Sequence, residues 1–366
     1  MKKWLAGLCA GLTVASAAWG QPLRILFIGN SFTYTRPPAL QYNVDAVEDM
    51  NLENYLTKPE GNDPALPQPW GGVPGIFKML ADQAGQEWTV SHSLRGGATL
   101  RGHYLNTNPA GWDLRANIAA RRWDVVVLQG NSTEALPSPE GNAPQFSAYV
   151  TKLERFARIG AAESYRESQL YPGGSTTLRN IPGNPNANPD AAVYLYQTWA
   201  RPDMVYPAGS FYAGQGLAAM TNDLRQAYAD AAAANGDITG IAPVGEAFQR
   251  AVDTGVALAN PYAPVRRGVD LWWHEDQFHP SKHGAYLSAL VLFGSITRID
   301  PASFSGAEQA ARDLGIAPLD ALQLQRVASA QLRASGYALS TVACVNAAAD
   351  APLPAACLSS SATGAP

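Results

Sequence analysis

A serine and an aspartate–histidine pair are the residues best able to do chemistry in this chain of 366 residues. Ser31 lies in Gly-Asn-Ser-Phe-Thr directly after an apolar run, and Asp276 and His279 lie three positions apart, ahead of Pro-Ser. A serine hydroxyl becomes a nucleophile when an imidazole takes its proton, and a carboxylate fixes the tautomer of that imidazole. These residues predict a catalytic triad in which Ser31 attacks, His279 is the base and Asp276 orients it.

Each of these residues also has an ordinary structural explanation. Serine is a favoured helix cap, so Ser31 alternatively caps the helix that follows the strand. Asp276 alternatively caps a turn, and His279 is then a solvated surface side chain. A metal site is a further alternative because His274 and His283 flank the pair, but the spacing is not His-Glu-x-x-His and Pro280 disfavours helix before it. No metal is therefore expected.

Two more polar segments follow predicted strands. Gly97 lies in Arg-Gly-Gly-Ala-Thr, where a glycine lets a backbone N–H approach a ligand closely, and Asn131 lies in Gln-Gly-Asn-Ser. A tetrahedral intermediate of acyl transfer needs two or three such fixed donors for its negative charge. Gly97 and Asn131 are predicted to supply them, although either residue taken alone is an ordinary turn residue.

Short apolar runs rich in β-branched residues must position these side chains, and they read as buried strands. The runs are Leu23–Gly29, Trp88–Leu94, Trp123–Leu128, Val193–Trp199 and Ile238–Val244. Segments of helical character separate them, which predicts a parallel five-stranded sheet covered by helices on both faces. One α/β domain over residues 21–300 follows, with the polar segments at the carboxyl edge of the sheet, where such folds bind ligands.

The order Ser, Gly, Asn and Asp-x-x-His at successive strand ends resembles that of the SGNH (GDSL-like) hydrolase superfamily. Gly-Asn-Ser occupies the place of the usual Gly-Asp-Ser, and only the asparagine of the third block, usually Gly-Thr-Asn-Asp, is matched. The resemblance spans residues 23–297. It implies a flavodoxin-like three-layer α/β/α sandwich and ester hydrolysis without a cofactor. It also implies an oxyanion hole formed by the N–H groups of Ser31 and Gly97 and the side chain of Asn131.

The first twenty residues have the features of a secretory signal peptide. Lys2 and Lys3 precede the apolar run Trp4–Ala18, and small residues precede a cleavage point near Gly20. The run is too short to span a bilayer comfortably, and no later segment is a candidate membrane anchor. The protein is therefore predicted to be secreted or periplasmic.

Export changes the interpretation of the cysteines. Only Cys344 and Cys357 remain after cleavage, and in an oxidising compartment they are predicted to form a disulfide. Two free buried thiols are the alternative. Both lie in residues 301–366, an alanine-rich region predicted to be a helical extension with a tail.

Two segments rich in glycine and proline, Asn54–Gly72 and Leu170–Asp190, interrupt the alternation of strands and helices. Loops of such length are usually functional or disordered, so both are predicted to wall the site. Four side chains are predicted to contact substrate: Trp70, Gln129, Trp272 and Trp273.

Composition limits the partners. The formal charge is −4 and 15% of residues are charged, so the chain lacks the basic surface that nucleic-acid binding needs. Export, the adjacent tryptophans and the polar loop Leu170–Asp190 favour a carbohydrate esterase that removes acetyl or similar small acyl groups from a polysaccharide, and a small aryl or alkyl ester is the alternative substrate. The alternatives are a non-catalytic glycan-binding module and an acyltransferase or lipase-like esterase with the same triad, since hydrolysis and transfer differ mainly in water access.

Overall fold

The computed structural model describes residues 22–57, 65–107, 112–264 and 268–341. The predicted signal peptide, Cys344 and Cys357 lie outside the described residues. The described strands are β1 (Leu23–Gly29), β2 (Val47–Asp49), β3 (Trp88–Leu94), β4 (Val125–Leu128), β5 (Glu163–Arg166), β6 (Leu178–Ile181), β7 (Ala192–Tyr196) and β8 (Gly240–Ala242).

The described α-helices run in chain order between and after these strands. They are α1 (Ser31–Tyr34), α2 (Leu52–Thr57), α3 (Gly72–Gln83), α4 (Leu100–Leu105), α5 (Leu114–Ala119), α6 (Ala143–Arg158), α7 (Pro202–Val205), α8 (Leu217–Ala234), α9 (Val244–Asp253), α10 (Lys282–Thr297), α11 (Gln309–Asp313) and α12 (Pro318–Ala334).

The central sheet is parallel throughout and has six strands in the order β2-β3-β1-β4-β7-β8. All five predicted strands are in it, so the predicted number was one too few. The additional strand β2 has only three residues, of which Val47 is the single apolar one, and it therefore leaves no apolar run. Without β2, the order is the 2-1-3-4-5 order of flavodoxin-like folds.

Helices cover both faces of this sheet, which confirms the predicted α/β/α sandwich. Helices α3, α10 and α12 pack together on one face, and α4, α6 and α8 pack together on the other. Central strand β1 shows the consequence, because Ile25, Leu26 and Phe27 are all fully buried although they alternate between the two faces. Burial on both faces explains why the strands are continuous apolar runs.

The described part of the predicted C-terminal extension packs into this same core. Helix α12 lies against α9 and α10, and its Leu324 and Leu332 are fully buried. Among the described residues, no helix combines the length and apolar character needed to cross a membrane.

Candidate active site

A cavity of about 400 Å³ opens at the carboxyl edge of the sheet. It brings together residues from the four motifs at successive strand ends: Ser31, Gly97, Asn131 and His279. Ser31 follows β1 and Asn131 follows β4, and these adjacent strands flank the point where the strand order reverses. Ligands of open α/β sheets bind at this position.

The turn after β1 is held by side-chain hydrogen bonds. A Cβ atom on Gly29 would lie 2.6 Å from Gln129 Oε1, so a larger residue there would displace the Gln129 amide from its hydrogen bonds. The side-chain nitrogen of Asn30 donates to the carbonyl oxygens of Ala98 (2.9 Å) and Gly130 (3.2 Å). An ionised aspartate has no proton to donate. The amide thus accounts for asparagine at this position, since it ties together the ends of three strands.

Ser31 is the first residue of α1 and is partly exposed at the cavity. Asn30, rather than Ser31, caps this helix, because its side-chain oxygen accepts from the N–H of Phe32. Within the described part of the chain, neither the hydroxyl nor the N–H of Ser31 makes a hydrogen bond. The capping explanation of Ser31 is therefore wrong, and both groups are available to a ligand in the cavity.

Asp276 and His279 form a hydrogen-bonded pair. His279 Nδ1 lies 2.7 Å from Asp276 Oδ2, and Asp276 Oδ1 accepts from the N–H groups of Phe278 and His279 at 3.0 Å each. The N–H of Trp273 donates to the carbonyl oxygen of His279 at 2.7 Å. The loop therefore fixes the orientation of the imidazole, as a general base requires.

Local electrostatics favour a neutral imidazole next to an ionised carboxylate. Burial lowers the pKa of His279, the hydrogen bond with Asp276 opposes that shift, and the guanidinium of Arg36 lowers the pKa further. Burial alone would raise the pKa of Asp276, but the hydrogen bonds from the imidazole and from two backbone N–H groups outweigh it, so this pKa is lowered. At neutral pH His279 is thus able to accept a proton.

Arg36 lies across the imidazole. Its Nη2 atom is 3.0 Å from Nδ1 and 3.2 Å from Nε2 of His279, and 4.0 Å from Asp276 Oδ2. The described residues show no hydrogen bond between the side chains of Ser31 and His279. Catalytic hydrogen bonds are often long without substrate, so this geometry is compatible with a triad that closes on substrate binding.

The two predicted oxyanion donors lie next to each other. Gly97 has a left-handed φ of +70° and open space where a side chain would be, and its N–H bonds to no described residue. Asn131 Nδ2 donates to the Gly97 carbonyl oxygen at 3.1 Å, which leaves its second N–H for another acceptor. Behind it, Glu134 accepts from the Asn131 N–H at 3.0 Å, and burial raises the pKa of Glu134 to about 7.

Of the four predicted substrate contacts, the structure places only Trp70 in the cavity, where it stacks on Tyr34. Gln129 is fully buried beneath the turn, where its side-chain oxygen accepts a hydrogen bond from the Asn30 N–H. Trp272 is buried against the core, and Trp273 is only partly exposed outside the cavity. The last three residues therefore do not line this cavity.

The two segments rich in glycine and proline also differ. The described residues of Asn54–Gly72 contribute three side chains to the cavity, whereas no residue of Leu170–Asp190 lines it. The second segment instead contains β6, which pairs with β5. Buried Asn184 and Asn188 satisfy main-chain carbonyl oxygens of the core with their amides. The prediction that this segment walls the site is therefore wrong.

Several cavity residues had no predicted role, among them Arg36, Arg95 and Arg201, whereas Trp112 is a candidate from the sequence for stacking on sugar rings. The sequence could have indicated Arg95 as a cavity residue, since Arg95 directly precedes Gly-Gly at the end of a predicted strand. The others depend on tertiary contacts. Among the described residues, no group of three or more histidine, cysteine, aspartate or glutamate side chains is arranged to hold a metal ion.

Comparison with known proteins gives similarities in structure only. No family profile and no curated protein sequence matches the chain. A DUF4886 family protein from Bacteroides uniformis is similar at 15% identity and a TM-score of 0.48, with 87% of this chain and 97% of that chain covered. A Slackia heliotrinireducens protein proposed to be an SGNH hydrolase is similar at 21% identity and a TM-score of 0.41, with 75% of this chain and 99% of that chain covered. The M. smegmatis aryl esterase is similar at 12% identity and a TM-score of 0.40, with 75% of this chain and 98% of that chain covered.

Proposed function

We propose that this protein is a serine esterase of the SGNH type that hydrolyses small acyl esters, acetyl esters above all. The observation that carries the proposal is the common cavity, in which the Ser31 hydroxyl, the Asp276-supported imidazole of His279 and the amide donors of Gly97 and Asn131 are together. These are the parts that acyl transfer requires.

In the proposed reaction, His279 Nε2 takes the proton of Ser31 as Oγ bonds to the ester carbonyl carbon. The N–H groups of Ser31 and Gly97 and the Asn131 amide hold the resulting oxyanion. The tetrahedral species collapses, the ester C–O bond breaks, and His279 returns the proton to the leaving alcohol. Water then attacks the acyl-enzyme with His279 again as base, which releases the acid and restores Ser31.

Carbohydrate is the alcohol part that the cavity lining supports. The arginine and asparagine side chains of its lining supply polar contacts for sugar hydroxyls. The indoles of Trp70 and Trp112 also line it, although both are largely buried. Among the described residues, the lining is mixed rather than predominantly apolar, which disfavours long acyl chains. The substrate class is tested by comparing rates of deacetylation of acetylated xylan or pectin with rates of hydrolysis of long-chain p-nitrophenyl esters. A preference for acyl chains of eight carbons or more contradicts the carbohydrate substrate.

Export remains part of the proposal. Residues 1–20 are proposed as a cleaved signal peptide, so the enzyme acts outside the cytoplasm, and Cys344 and Cys357 are proposed to form a disulfide there. Mass spectrometry of the mature protein before and after reduction tests both statements through the N-terminal sequence and a two-dalton change.

The decisive experiment is Ser31→Ala assayed with p-nitrophenyl acetate and a fluorophosphonate probe. We expect turnover to fall on the order of 10⁶-fold and labelling to disappear, as on loss of a nucleophilic serine elsewhere. Ser164→Ala, on exposed β5, is the matched control and should behave like the unmodified protein. Activity or labelling that survives in Ser31→Ala contradicts the assignment, and a lack of both in the unmodified protein favours glycan binding without catalysis.

A further inference from the structure

The cavity contains an arginine that the proposed reaction does not use. Arg95 follows β3 directly and is 7% exposed, and its N–H donates to the Gly29 carbonyl oxygen at 3.2 Å. Its guanidinium lies over the ring of Trp112, 4.4 Å from the ring centroid, and lines the cavity. The side chain is therefore buried and its position is set by stacking.

No carboxylate neutralises this guanidinium among the described residues, and none of them accepts a hydrogen bond from it. The other two arginines of the cavity differ in this respect. Arg201 pairs with Asp203 at 2.5 Å and donates to Ser132, and Arg36 lies against the Asp276–His279 pair. The lining contains these three arginines and no described aspartate or glutamate.

Burial of an unpaired charge is costly. An arginine remains protonated in proteins, so Arg95 keeps its charge although burial lowers its pKa. Among the described residues, this charge is stabilised by the face of Trp112, and it is otherwise open to the cavity. A ligand anion in the cavity would supply the counter-charge and the hydrogen-bond acceptors that the described residues do not.

The position of Arg95 relates this charge to the scissile bond. Arg95 and Gly97 belong to one turn, which is closed by a hydrogen bond from the Ala98 N–H to the Arg95 carbonyl oxygen at 3.1 Å. Gly97 is the proposed oxyanion donor, so an anion bound by Arg95 would lie beside the ester carbonyl. The planar guanidinium fork matches a carboxylate in two parallel hydrogen bonds.

We propose that the substrate is an ester bearing a carboxylate next to the scissile bond, and that Arg95 binds this carboxylate with Trp112 as its support. The inference rests on the proposed esterase function and specifies its substrate class. The carboxylate belongs either to the alcohol part, as in an acetylated uronide, or to the acyl part, as in a hemisuccinyl ester of a neutral sugar.

The test compares kcat/KM for three esters: an acetylated uronide, the matched acetylated neutral hexoside, and the hemisuccinyl ester of that hexoside. We expect the unmodified protein to prefer one of the anionic esters by about 10-fold or more, and the preferred one identifies the side that carries the carboxylate. In Arg95→Gln we expect this preference to fall about 10- to 100-fold, mainly through KM, which is the loss of a charge-assisted pair of hydrogen bonds. Arg95→Lys, which keeps the positive charge, should keep part of the preference for the anionic ester.

Arg122→Gln is the control, because Arg122 is exposed and pairs with Asp190 away from the cavity, and it should keep the full preference. Equal rates on all three esters, or a preference that survives in Arg95→Gln, overturn the inference. A measurement without variants covers a failure to fold. Free uronate or free succinate, whichever matches the preferred ester, should inhibit p-nitrophenyl acetate hydrolysis competitively and the neutral hexose should not, and inhibition by neither anion overturns the inference.

The failure of the proposed function is distinguishable from the failure of this inference. If no ester, including p-nitrophenyl acetate, is hydrolysed, the esterase assignment fails. Calorimetric binding of uronate and of succinate then tests Arg95 alone. Binding of either anion that weakens at least 10-fold in Arg95→Gln supports the anion site, and binding of neither anion to the unmodified protein overturns it.

Discussion

Arg95 and Arg101 lie six positions apart after β3, yet their surroundings are opposite. Arg101 binds Glu167 through two nitrogens, at 2.5 and 3.0 Å, and the same carboxylate accepts from Tyr149, Tyr171 and Arg179. We call these five residues the Glu167 cluster. Arg95, in contrast, has no carboxylate among the described residues and lines the cavity.

The difference separates two uses of charged side chains. In the Glu167 cluster the protein itself satisfies the carboxylate, whose side chain is 1% exposed, so the cluster holds α4 and α6 to the β5–β6 hairpin. In the cavity, the N–H groups of Ser31 and Gly97 and the guanidinium of Arg95 have no hydrogen-bond acceptor among the described residues. Substitutions in the cavity should change activity at nearly constant stability, and substitutions in the Glu167 cluster should do the reverse.

Asn131→Ala tests the cavity and has the largest expected effect among the variants that compare the two regions. Loss of one oxyanion donor lowers kcat about 100- to 1000-fold. We expect KM and the thermal midpoint to change little, because the Asn131 side chain is partly exposed. Steady-state kinetics on p-nitrophenyl acetate give the result, with Asn180→Ala on exposed β6 as the control. A variant that retains kcat would remove Asn131 from the oxyanion hole.

Glu167→Gln tests the other region. The change leaves two arginines without their carboxylate, and we expect the free energy of unfolding to fall by about 3 kcal/mol, as on breaking a buried ion pair. Urea denaturation measures it, and kcat on p-nitrophenyl acetate should stay unchanged. Asp190→Asn is the control, since it breaks only the exposed pair with Arg122 and should cost less than about 1 kcal/mol.

The pH dependence of stability sharpens this prediction. Hydrogen bonds from Arg101 lower the pKa of Glu167 against the opposing effect of burial. A carboxylate with a lowered pKa contributes stability above its unfolded pKa and loses it as the pH falls through the folded value. The difference between Glu167→Gln and the unmodified protein should therefore shrink in acid. A difference that is constant with pH would contradict the role of the charge.

Arg36→Met has the smallest expected effect, a shift in the pH profile of kcat/KM. Protonated His279 cannot accept the Ser31 proton, so activity falls as the pH drops through the His279 pKa, which lies below its ordinary value. Because the guanidinium of Arg36 lowers this pKa, its removal should move the acid limb to higher pH. Arg122→Met, the control, should leave the acid limb of the kcat/KM profile at the same pH. An acid limb that does not move in Arg36→Met would show that Arg36 does not affect the pKa of His279.

Much of the fold was predictable because its strands are buried on both faces. The runs at β1 and β3 agree with the observed strands at both ends. Leu170–Asp190 was not predictable, because Asn184 and Asn188 serve the core through their amides, and a segment rich in polar residues gives no apolar signal for such a role.

The site divides in the same way. The order of Ser31, Gly97, Asn131, Asp276 and His279 was visible in the sequence, and the structure places four of them in one cavity with Asp276 bonded to His279. Whether a tryptophan reaches the cavity was not visible. Trp112 lines it while Trp272 donates its indole N–H to the Ala200 carbonyl oxygen inside the core.

The sequence by itself determined the alternation of strands and helices and the polar residues that end the strands. Both are local properties, since apolar periodicity and turn chemistry act over a few neighbouring residues. Tertiary structure alone decided which charges are neutralised. Arg101 meets Glu167 across 66 positions of chain, and Arg95 meets no described carboxylate, although both arginines follow the same strand. Pairing of charges depends on distances in space, and these exist only once the sheet and its helices have packed.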